Sequence, residues 1–174
     1  MDYSVRKLSG ADVAAYRAVR QEALLNHPTA YGSSAESFAA LSDDELRDTL
    51  ERMTFFGVFA EESLGGIVAF GQTRGERERH RGWLYQVYVQ PRLRGTGASS
   101  ALIEAALEHA STRTLQVHLG VSTQNQPAIR LYKKAGFEVY GTEPRALFVN
   151  GRYVDEHLMV RFFDEAPGKK TDNE

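Results

Sequence analysis

The stretch with the clearest chemical potential runs from Val87 to Ser100 and reads VYVQPRLRGTGASS. Its first residues predict a strand that Pro91 ends, and its last residues are small and lead into a predicted helix at residues 98–110. A glycine-containing turn that opens a helix presents free backbone N–H groups and the positive end of the helix dipole, which favour a phosphate. The stretch therefore predicts a pyrophosphate-binding loop, with a tight strand-to-helix turn that binds nothing as the alternative.

Two common nucleotide-binding motifs do not fit this loop. Gly95-Thr96-Gly97 is followed by Ser100 where a dinucleotide-binding loop has its third glycine. No lysine follows in the register of a P-loop, which excludes a nucleoside triphosphatase.

A second segment, residues 125–137, reads NQPAIRLYKKAGF and predicts a short helix with clear ends. Asn125 can cap the helix, and Pro127 lies in the first turn, where its missing N–H does no harm. Gly136 and Phe137 have the residue types that end a helix and pack back against it.

Together, the two segments resemble the GNAT superfamily of acetyl-CoA-dependent acyltransferases. Arg94 and Gly97 match the pyrophosphate loop of that superfamily, and Ser99 departs from it conservatively. Residues 125–137 are similar to its signature of Asn, then Ala, then Leu-Tyr, then Gly-Phe. The resemblance extends over roughly residues 3–163 and implies that acetyl-CoA is the co-substrate.

The resemblance also implies a role for each matched position. The strand backbone would hydrogen-bond the pantetheine arm and offer an N–H to the acetyl carbonyl, at Val87, Tyr88 and Val89. The pyrophosphate loop would comprise Arg94, Gly95, Thr96, Gly97, Ala98, Ser99 and Ser100. Further CoA contacts are implied at Asn125, Ala128 and Lys134, although Asn125 equally suits a helix cap and Lys134 a solvated helix surface.

Tyr132 is the catalytic residue that the resemblance implies. A phenol near the sulfur can donate the proton that makes the thiolate a better leaving group, whereas a core aromatic is the alternative. The general base stays open, because some family members place a glutamate where this chain has Gly120, and proton loss through water is also possible. The candidates are Glu22, Glu36, Tyr85, Asp155 and Glu156.

The N-terminal third predicts two helices that would flank these motifs. The residues from Ser9 to Asp12 form a capping signal, and a buried stripe follows at Val13, Tyr16, Val19 and Ala23. The residues that this pattern places mostly outside the stripe are Arg17, Arg20 and Gln21. Residues 26–41 read as a loop, and a second capping box at Ser42–Glu45 opens the next helix.

The middle of the chain predicts an antiparallel meander, with strands at residues 55–60, 67–73 and 83–89. The charged tip, Gly75–Gly82, alternates signs between two glycines, which indicates a solvated hairpin end or a local contact for an anion or partner. A strand–helix–strand crossover then leads to residues 115–121. Asn150-Gly151 is the strongest hairpin signal.

We therefore predict an α/β (α+β) domain over residues 1–163 with a GNAT-like acyl-CoA acyltransferase fold. Its mixed sheet of six or seven strands would be antiparallel in its first half and flanked by about four helices. The polar residues 164–174 predict a disordered tail.

Composition narrows the class of protein further. The 174 residues, 42% hydrophobic and 25% charged, suit one globular domain. The chain has no cysteine, which removes disulfides and thiolate nucleophiles and suits the cytoplasm. A net charge of −2 disfavours nucleic-acid binding, and neither a membrane span nor a histidine-based metal site is expected.

The predicted reaction is transfer of the acetyl group of acetyl-CoA to a primary amine, by direct attack in a ternary complex. A small-molecule amine or amino acid is the expected acceptor. An N-acetyltransferase for protein N-termini and a non-catalytic acyl-CoA-binding regulator are the alternatives, and a homodimer is left open. The segments that would shape the acceptor site are residues 26–41, 75–82 and 146–156. They are the least patterned parts of the sequence and therefore do not identify the acceptor.

Overall fold

The computed structural model describes residues 2–164 and builds them around one mixed β-sheet. The strands are β1 (Ser4–Lys7), β2 (Thr54–Ala60), β3 (Ser63–Gln72), β4 (Arg81–Val89), β5 (Gln116–Ser122), β6 (Glu138–Val149) and β7 (Arg152–Phe162). They lie in the order β1-β2-β3-β4-β5-β7-β6, and within residues 2–164 only β4 and β5 pair in parallel. The predicted mixed sheet with an antiparallel first half is confirmed.

Five α-helices cover the sheet in the described part of the chain, one more than expected. They are α1 (Val13–Asn26), α2 (Ala35–Ala39), α3 (Asp43–Arg52), α4 (Ala98–Ser111) and α5 (Gln126–Lys134). The additional helix, α2, lies in the segment that the sequence predicted as a loop. Ser34 caps it, since its hydroxyl accepts a hydrogen bond from the Ser37 N–H at 3.1 Å.

Strand β3 is buried on both faces and contributes side chains to two hydrophobic cores. Val68 and Phe70 face the core that contains α4, whereas Ile67 and Ala69 face the core that contains α1. This alternation follows from the two-residue period of a strand. The central sheet that supports the two motif segments is therefore packed on both faces.

Helix α5 has both of its predicted ends. The Asn125 side chain accepts a hydrogen bond from the Ala128 N–H at 3.3 Å, which caps the first turn. At the other end Gly136 adopts a φ of +90°, and the Phe137 N–H donates to the Tyr132 carbonyl at 3.0 Å. The Phe137 ring then packs edge-on against the Tyr132 ring, with centroids 6.0 Å apart. The end of the helix thereby positions Tyr132.

Strands β4 and β5 diverge soon after they pair. Their register covers only Arg81–Trp83 against Gln116–His118. Strand β4 then carries a bulge, where the register with β3 shifts and Gln86 adopts a φ of +54°. The edges of β4 and β5 beyond this point face each other across an open cleft.

Several boundaries differ from the predictions for local reasons. Strand β3 begins at Ser63 rather than at residue 67, because the turn shrinks to Glu61 and Glu62, both with positive φ. Strand β6 is one long strand that leads into the predicted hairpin turn, and irregularities near Gly141 and Arg145 let it bend. Gly75–His80 are exposed, as predicted for a solvated tip.

The predicted disordered tail falls, apart from Asp164, outside the described residues. Among residues 2–164, no helix combines the length and apolar character needed to cross a bilayer.

Candidate active site

The cleft between β4 and β5 has a volume of about 2040 Å³. Pockets for a single drug-sized ligand usually measure roughly 300–1,000 Å³. The cleft is therefore large enough to hold two ligands side by side. Its walls include residues of β4, β5, α5 and the segment between α1 and α2.

One end of the cleft is the predicted pyrophosphate loop. A short turn at Pro91–Leu93 follows β4, and α4 begins at Ala98. The first helical bond there joins the Ala101 N–H to the Gly97 carbonyl at 3.0 Å, so the N–H groups of Ser99 and Ser100 precede the hydrogen-bonded ladder. Such groups, at the positive end of a 14-residue helix, attract an anion.

Gly97 has two reasons to be glycine. Its φ is +92°, which side-chain-bearing residues seldom adopt, and a Cβ atom would lie 3.1 Å from the Tyr3 hydroxyl oxygen. Thr96 stabilises the same turn by donating its hydroxyl to the Leu93 carbonyl at 2.7 Å. The loop therefore keeps its backbone exposed and its shape defined.

Arg94 connects the loop to the rest of the cleft wall. Its Nε donates to the Val89 carbonyl at 3.2 Å, and one terminal nitrogen lies 3.2 Å from Nε2 of His27. Burial and the Arg94 charge both lower the pKa of His27, so a neutral imidazole can accept this bond. Sequence reasoning missed His27, which follows the end of α1 and carries no motif signal.

The open edge of β4 is where the sequence placed it. Val87, Tyr88 and Val89 all line the cleft. The Tyr31 hydroxyl donates to the Val87 carbonyl at 2.8 Å. The Val89 carbonyl accepts the bond from Arg94 described above, so each of these two carbonyls has one side-chain donor. Each keeps a second lone pair for a ligand.

Tyr132 lies in the cleft wall and is only 6% exposed. No hydrogen-bond partner for its hydroxyl occurs within residues 2–164. Burial raises the pKa of this phenol well above its usual range, and Tyr31 adds to the shift. At neutral pH the hydroxyl therefore keeps its proton.

Of the three other residues implied to contact CoA, two line the cleft and one does not. Ala128 and Asn125 line the cleft, and Asn125 also serves as the helix cap described above. Lys134 is exposed in the last turn of α5 and does not line the cleft.

Three of the five base candidates lie outside the cleft. Both carboxylate oxygens of Glu22 are occupied, by the Tyr88 hydroxyl and the Gln90 amide, each at 2.7 Å. Glu36 is exposed on α2, and Asp155 accepts the Arg145 N–H at 2.7 Å. These positions suit structural roles better than proton transfer.

Tyr85 and Glu156 do line the cleft, but only Glu156 has a suitable acid–base character. Burial raises the pKa of Tyr85, so its phenol is a poor proton acceptor at neutral pH. The Glu156 carboxylate makes no hydrogen bond or ion pair within residues 2–164. Burial, followed by the charge of Glu143, raises its pKa above that of an ordinary glutamate.

Two further cleft residues were missed or misplaced. Tyr31 lies in the segment predicted as a loop, and burial raises its pKa to about 12. Its ring covers Arg20, with the guanidinium carbon 4.3 Å from the ring centroid. The sequence placed Arg20 mostly outside the buried stripe of α1, which is wrong: Arg20 is 4% exposed. Helical periodicity could not show that residues 27–34 fold over this position.

No group of three or more His, Asp or Glu side chains able to hold a metal ion occurs among residues 2–164.

Comparisons with known proteins agree with this architecture. Residues 17–137 match the model of the "Acetyltransferase (GNAT) family". The L-amino acid N-acetyltransferase AaaT of Escherichia coli is 37% identical over 79 residues, which cover 44% of this chain and 49% of that protein. The mycothiol acetyltransferase of Streptomyces bingchenggensis is 31% identical over 77% of this chain and 42% of its own length. The chain thus spans about half the length of the curated relatives it matches.

Solved structures share the fold. The yncA protein of Salmonella typhimurium, a putative acetyltransferase determined with acetyl-CoA, superimposes with a TM-score of 0.83 at 22% identity and covers 98% of this chain and 99% of its own. An acetyltransferase of the GNAT family from Streptococcus pneumoniae gives a TM-score of 0.82 at 24% identity, with 92% and 99% covered.

Proposed function

The chain belongs to the acetyltransferase (GNAT) family, and from this we propose that it transfers the acetyl group of acetyl-CoA to the primary amine of a small molecule. One observation carries the proposal. A single cleft has an anion-binding helix start at one end and a buried, unpartnered Tyr132 hydroxyl in its wall. That combination suits a phosphate-bearing thioester better than an isolated amine or nucleotide.

The residues at the phosphate end fit acetyl-CoA. The N–H groups of Ser99 and Ser100 would bind the pyrophosphate, and Gly97 leaves the backbone accessible. The exposed edge at Val87 and Val89 would bond the pantetheine amides, as an added strand would. When bound, acetyl-CoA supplies an activated acetyl group, with a thiolate as leaving group.

One side chain would donate a proton during the reaction and another would accept one. Tyr132 would hold a proton at its hydroxyl and donate it to the departing sulfur, because its raised pKa keeps it protonated. Glu156 would accept the proton that the attacking amine loses. Both line the same cleft, and neither has another partner among residues 2–164.

The acceptor is proposed to be a small molecule. Relatives are named as an L-amino acid N-acetyltransferase, a mycothiol acetyltransferase and, in Escherichia coli, a spermidine N(1)-acetyltransferase. A cleft that admits two ligands is compatible with direct attack in a ternary complex. A non-catalytic regulator would not need the buried Tyr132 phenol, which has no hydrogen-bond partner among residues 2–164.

We also propose a cytoplasmic location, because a chain without cysteine suits a reducing compartment.

The test is an acceptor screen with acetyl-CoA and a panel of amino acids, polyamines and amine antibiotics. Because the chain has no cysteine, a thiol-reactive dye detects only released CoA, without background from protein thiols. Products should gain one acetyl group by mass spectrometry. Absence of both CoA release and CoA binding would contradict the proposal.

A further inference from the structure

Arg20 is a buried charge without a charged partner. It lies in the middle of α1, is 4% exposed and forms part of the cleft wall. Its Nη1 atom is shielded from solvent and has no hydrogen-bond partner. Among residues 2–164, none of the ion pairs includes Arg20.

Such an arrangement costs stability in the unliganded protein. Taking a guanidinium out of water is unfavourable unless an anion and hydrogen-bond acceptors replace the lost hydration. The groups that face Arg20 are the neutral phenols of Tyr16 and Tyr31, and the Tyr31 ring contributes a cation–π contact at 4.3 Å. Burial accordingly lowers the pKa of Arg20. No carboxylate among residues 2–164 forms an ion pair with Arg20.

The position of Arg20 distinguishes it from the phosphate site. His27, which contacts Arg94 of the loop, lies seven residues further along the chain, just past the end of α1, which corresponds to a helical rise of about 10 Å. Arg20 is instead surrounded by residues that contact the β4 bulge. Tyr16 donates to the Gln86 side chain at 2.8 Å, and Tyr31 donates to the Val87 carbonyl at 2.8 Å.

Arg20 lines the same cleft as the side chains proposed for the chemistry. Tyr31, which covers it, influences the ionisation of Tyr132 directly. Arg20, Tyr31 and Tyr132 all line the same cleft. An acceptor whose amine is positioned near Tyr132 and Glu156 can place another group against this part of the wall, which Arg20 and Tyr31 form together.

We propose that Arg20 binds a carboxylate of the acceptor, so that the acceptor is an amino acid or another amino-carboxylic acid rather than a polyamine. Arginine suits this role because its planar fork matches both oxygens of a carboxylate. The inference rests on the proposed function and narrows its substrate class. A second source of negative charge, the acetyl oxygen during transfer, would use the same chemistry, and the experiment distinguishes the two.

The first arm uses the unaltered protein. Amino acids are compared with their own amides, which keep the amine and side chain but lose the negative charge, and CoA release gives kcat/KM for each pair. We expect each amino acid to exceed its amide by at least about tenfold, the equivalent of about 1.4 kcal/mol. Equal or greater activity on the amides would overturn the inference without affecting the proposed acetyl transfer.

The second arm uses Arg20→Met, which retains an unbranched side chain. Because an unpaired buried charge is removed, the melting temperature of the unliganded protein should stay equal or rise. The preference for the amino acid over its amide should disappear, mainly through KM. An equal loss of kcat on the amino acid and on its amide would instead indicate that Arg20 stabilises the acetyl oxygen. A lower melting temperature with an unchanged preference for the amino acid would indicate that Arg20 has only a structural role.

Arg17→Met is the matched control on the same helix. Arg17 pairs with Asp43 at 2.8 Å and bonds the Leu41 carbonyl at 2.7 Å, so its loss should lower stability and leave the preference unchanged. Binding provides a readout independent of turnover: amino acids should raise the melting temperature of the CoA-bound protein, but not that of Arg20→Met. Stabilisation without turnover would contradict the proposed function alone, whereas no stabilisation and no preference would contradict the inference.

Discussion

The Glu156 carboxylate occupies space that is open only because residue 120 is glycine. Its Oε2 atom lies 2.9 Å from the point where a Cβ atom of Gly120 would be. Gly120 belongs to β5 and Glu156 to the neighbouring β7, where Ser122 pairs with Glu156. The missing side chain on one strand thus lets a carboxylate from the next strand lie at the cleft.

Glu156→Gln should lower kcat/KM by about 10²-fold or more, a typical contribution of a positioned proton acceptor. The parent should gain activity as pH rises through the raised pKa of Glu156, because only the ionised carboxylate accepts a proton. The variant should lack this limb of the pH–rate profile. Glu36→Gln, on the exposed helix α2, is the control and should behave like the parent. An unchanged profile in Glu156→Gln would leave water as the acceptor.

Glu143→Gln should shift the same limb to lower pH. Glu143 pairs with Glu156 in the β6–β7 register and is the second cause, after burial, of its raised pKa. Removing this negative charge makes ionisation of Glu156 easier. The measurement is kcat/KM against pH for both proteins. A limb that does not move, or moves to higher pH, would show that the two carboxylates are not coupled.

Tyr132→Phe should lower kcat by about 10²-fold while the KM for acetyl-CoA stays near normal, because a general acid acts mainly as the C–S bond breaks. The ring contact with Phe137 is retained, so the fold should persist. Tyr140→Phe also removes one phenol, outside the cleft, and should have no effect on rate. Rates within about twofold of the parent across the pH range would reduce Tyr132 to a packing residue.

Gly97→Asp should abolish stabilisation by CoA. At a hundredfold excess over its Kd, CoA should stabilise the parent by about 2.7 kcal/mol, measurable as a shift in melting temperature. Gly97→Ala is the matched control, since it shares the strained φ of +92° and the Tyr3 contact but adds no charge. Both variants should lose about 1–2 kcal/mol of stability, and Asp should weaken CoA binding far more than Ala. Normal CoA binding by Gly97→Asp would place the phosphates elsewhere.

Much of the site was predictable because its signals are local. The loop at residues 94–100 opens a helix as predicted, since small residues and a glycine with positive φ suffice to build that turn. Asn125 and Gly136 end α5 where expected, which fixes the position of Tyr132 along the helix. Hydrogen bonds between residues three to five apart decide such features.

The residues that we propose as general base and acceptor contact were not predictable in this way. The sequence offered five base candidates, and only the pairing of β5 with β7 brings Glu156 to Gly120, 36 positions away. Arg20 and Arg17 differ by less than one helical turn, yet one is buried under Tyr31 while the other pairs with Asp43. Helical periodicity alone does not separate them, because the cover comes from another segment.

By itself, the sequence determined the family, the helix caps, the hairpins and the glycine-containing turn that opens α4. Each depends on interactions within a few residues, where side-chain type and backbone conformation are directly coupled. The tertiary structure alone decided that β4 and β5 separate at the Gln86 bulge, and which ionisable side chains face the resulting cleft. Those outcomes depend on strand register and on burial among distant segments, which set the solvation of every charge in the site.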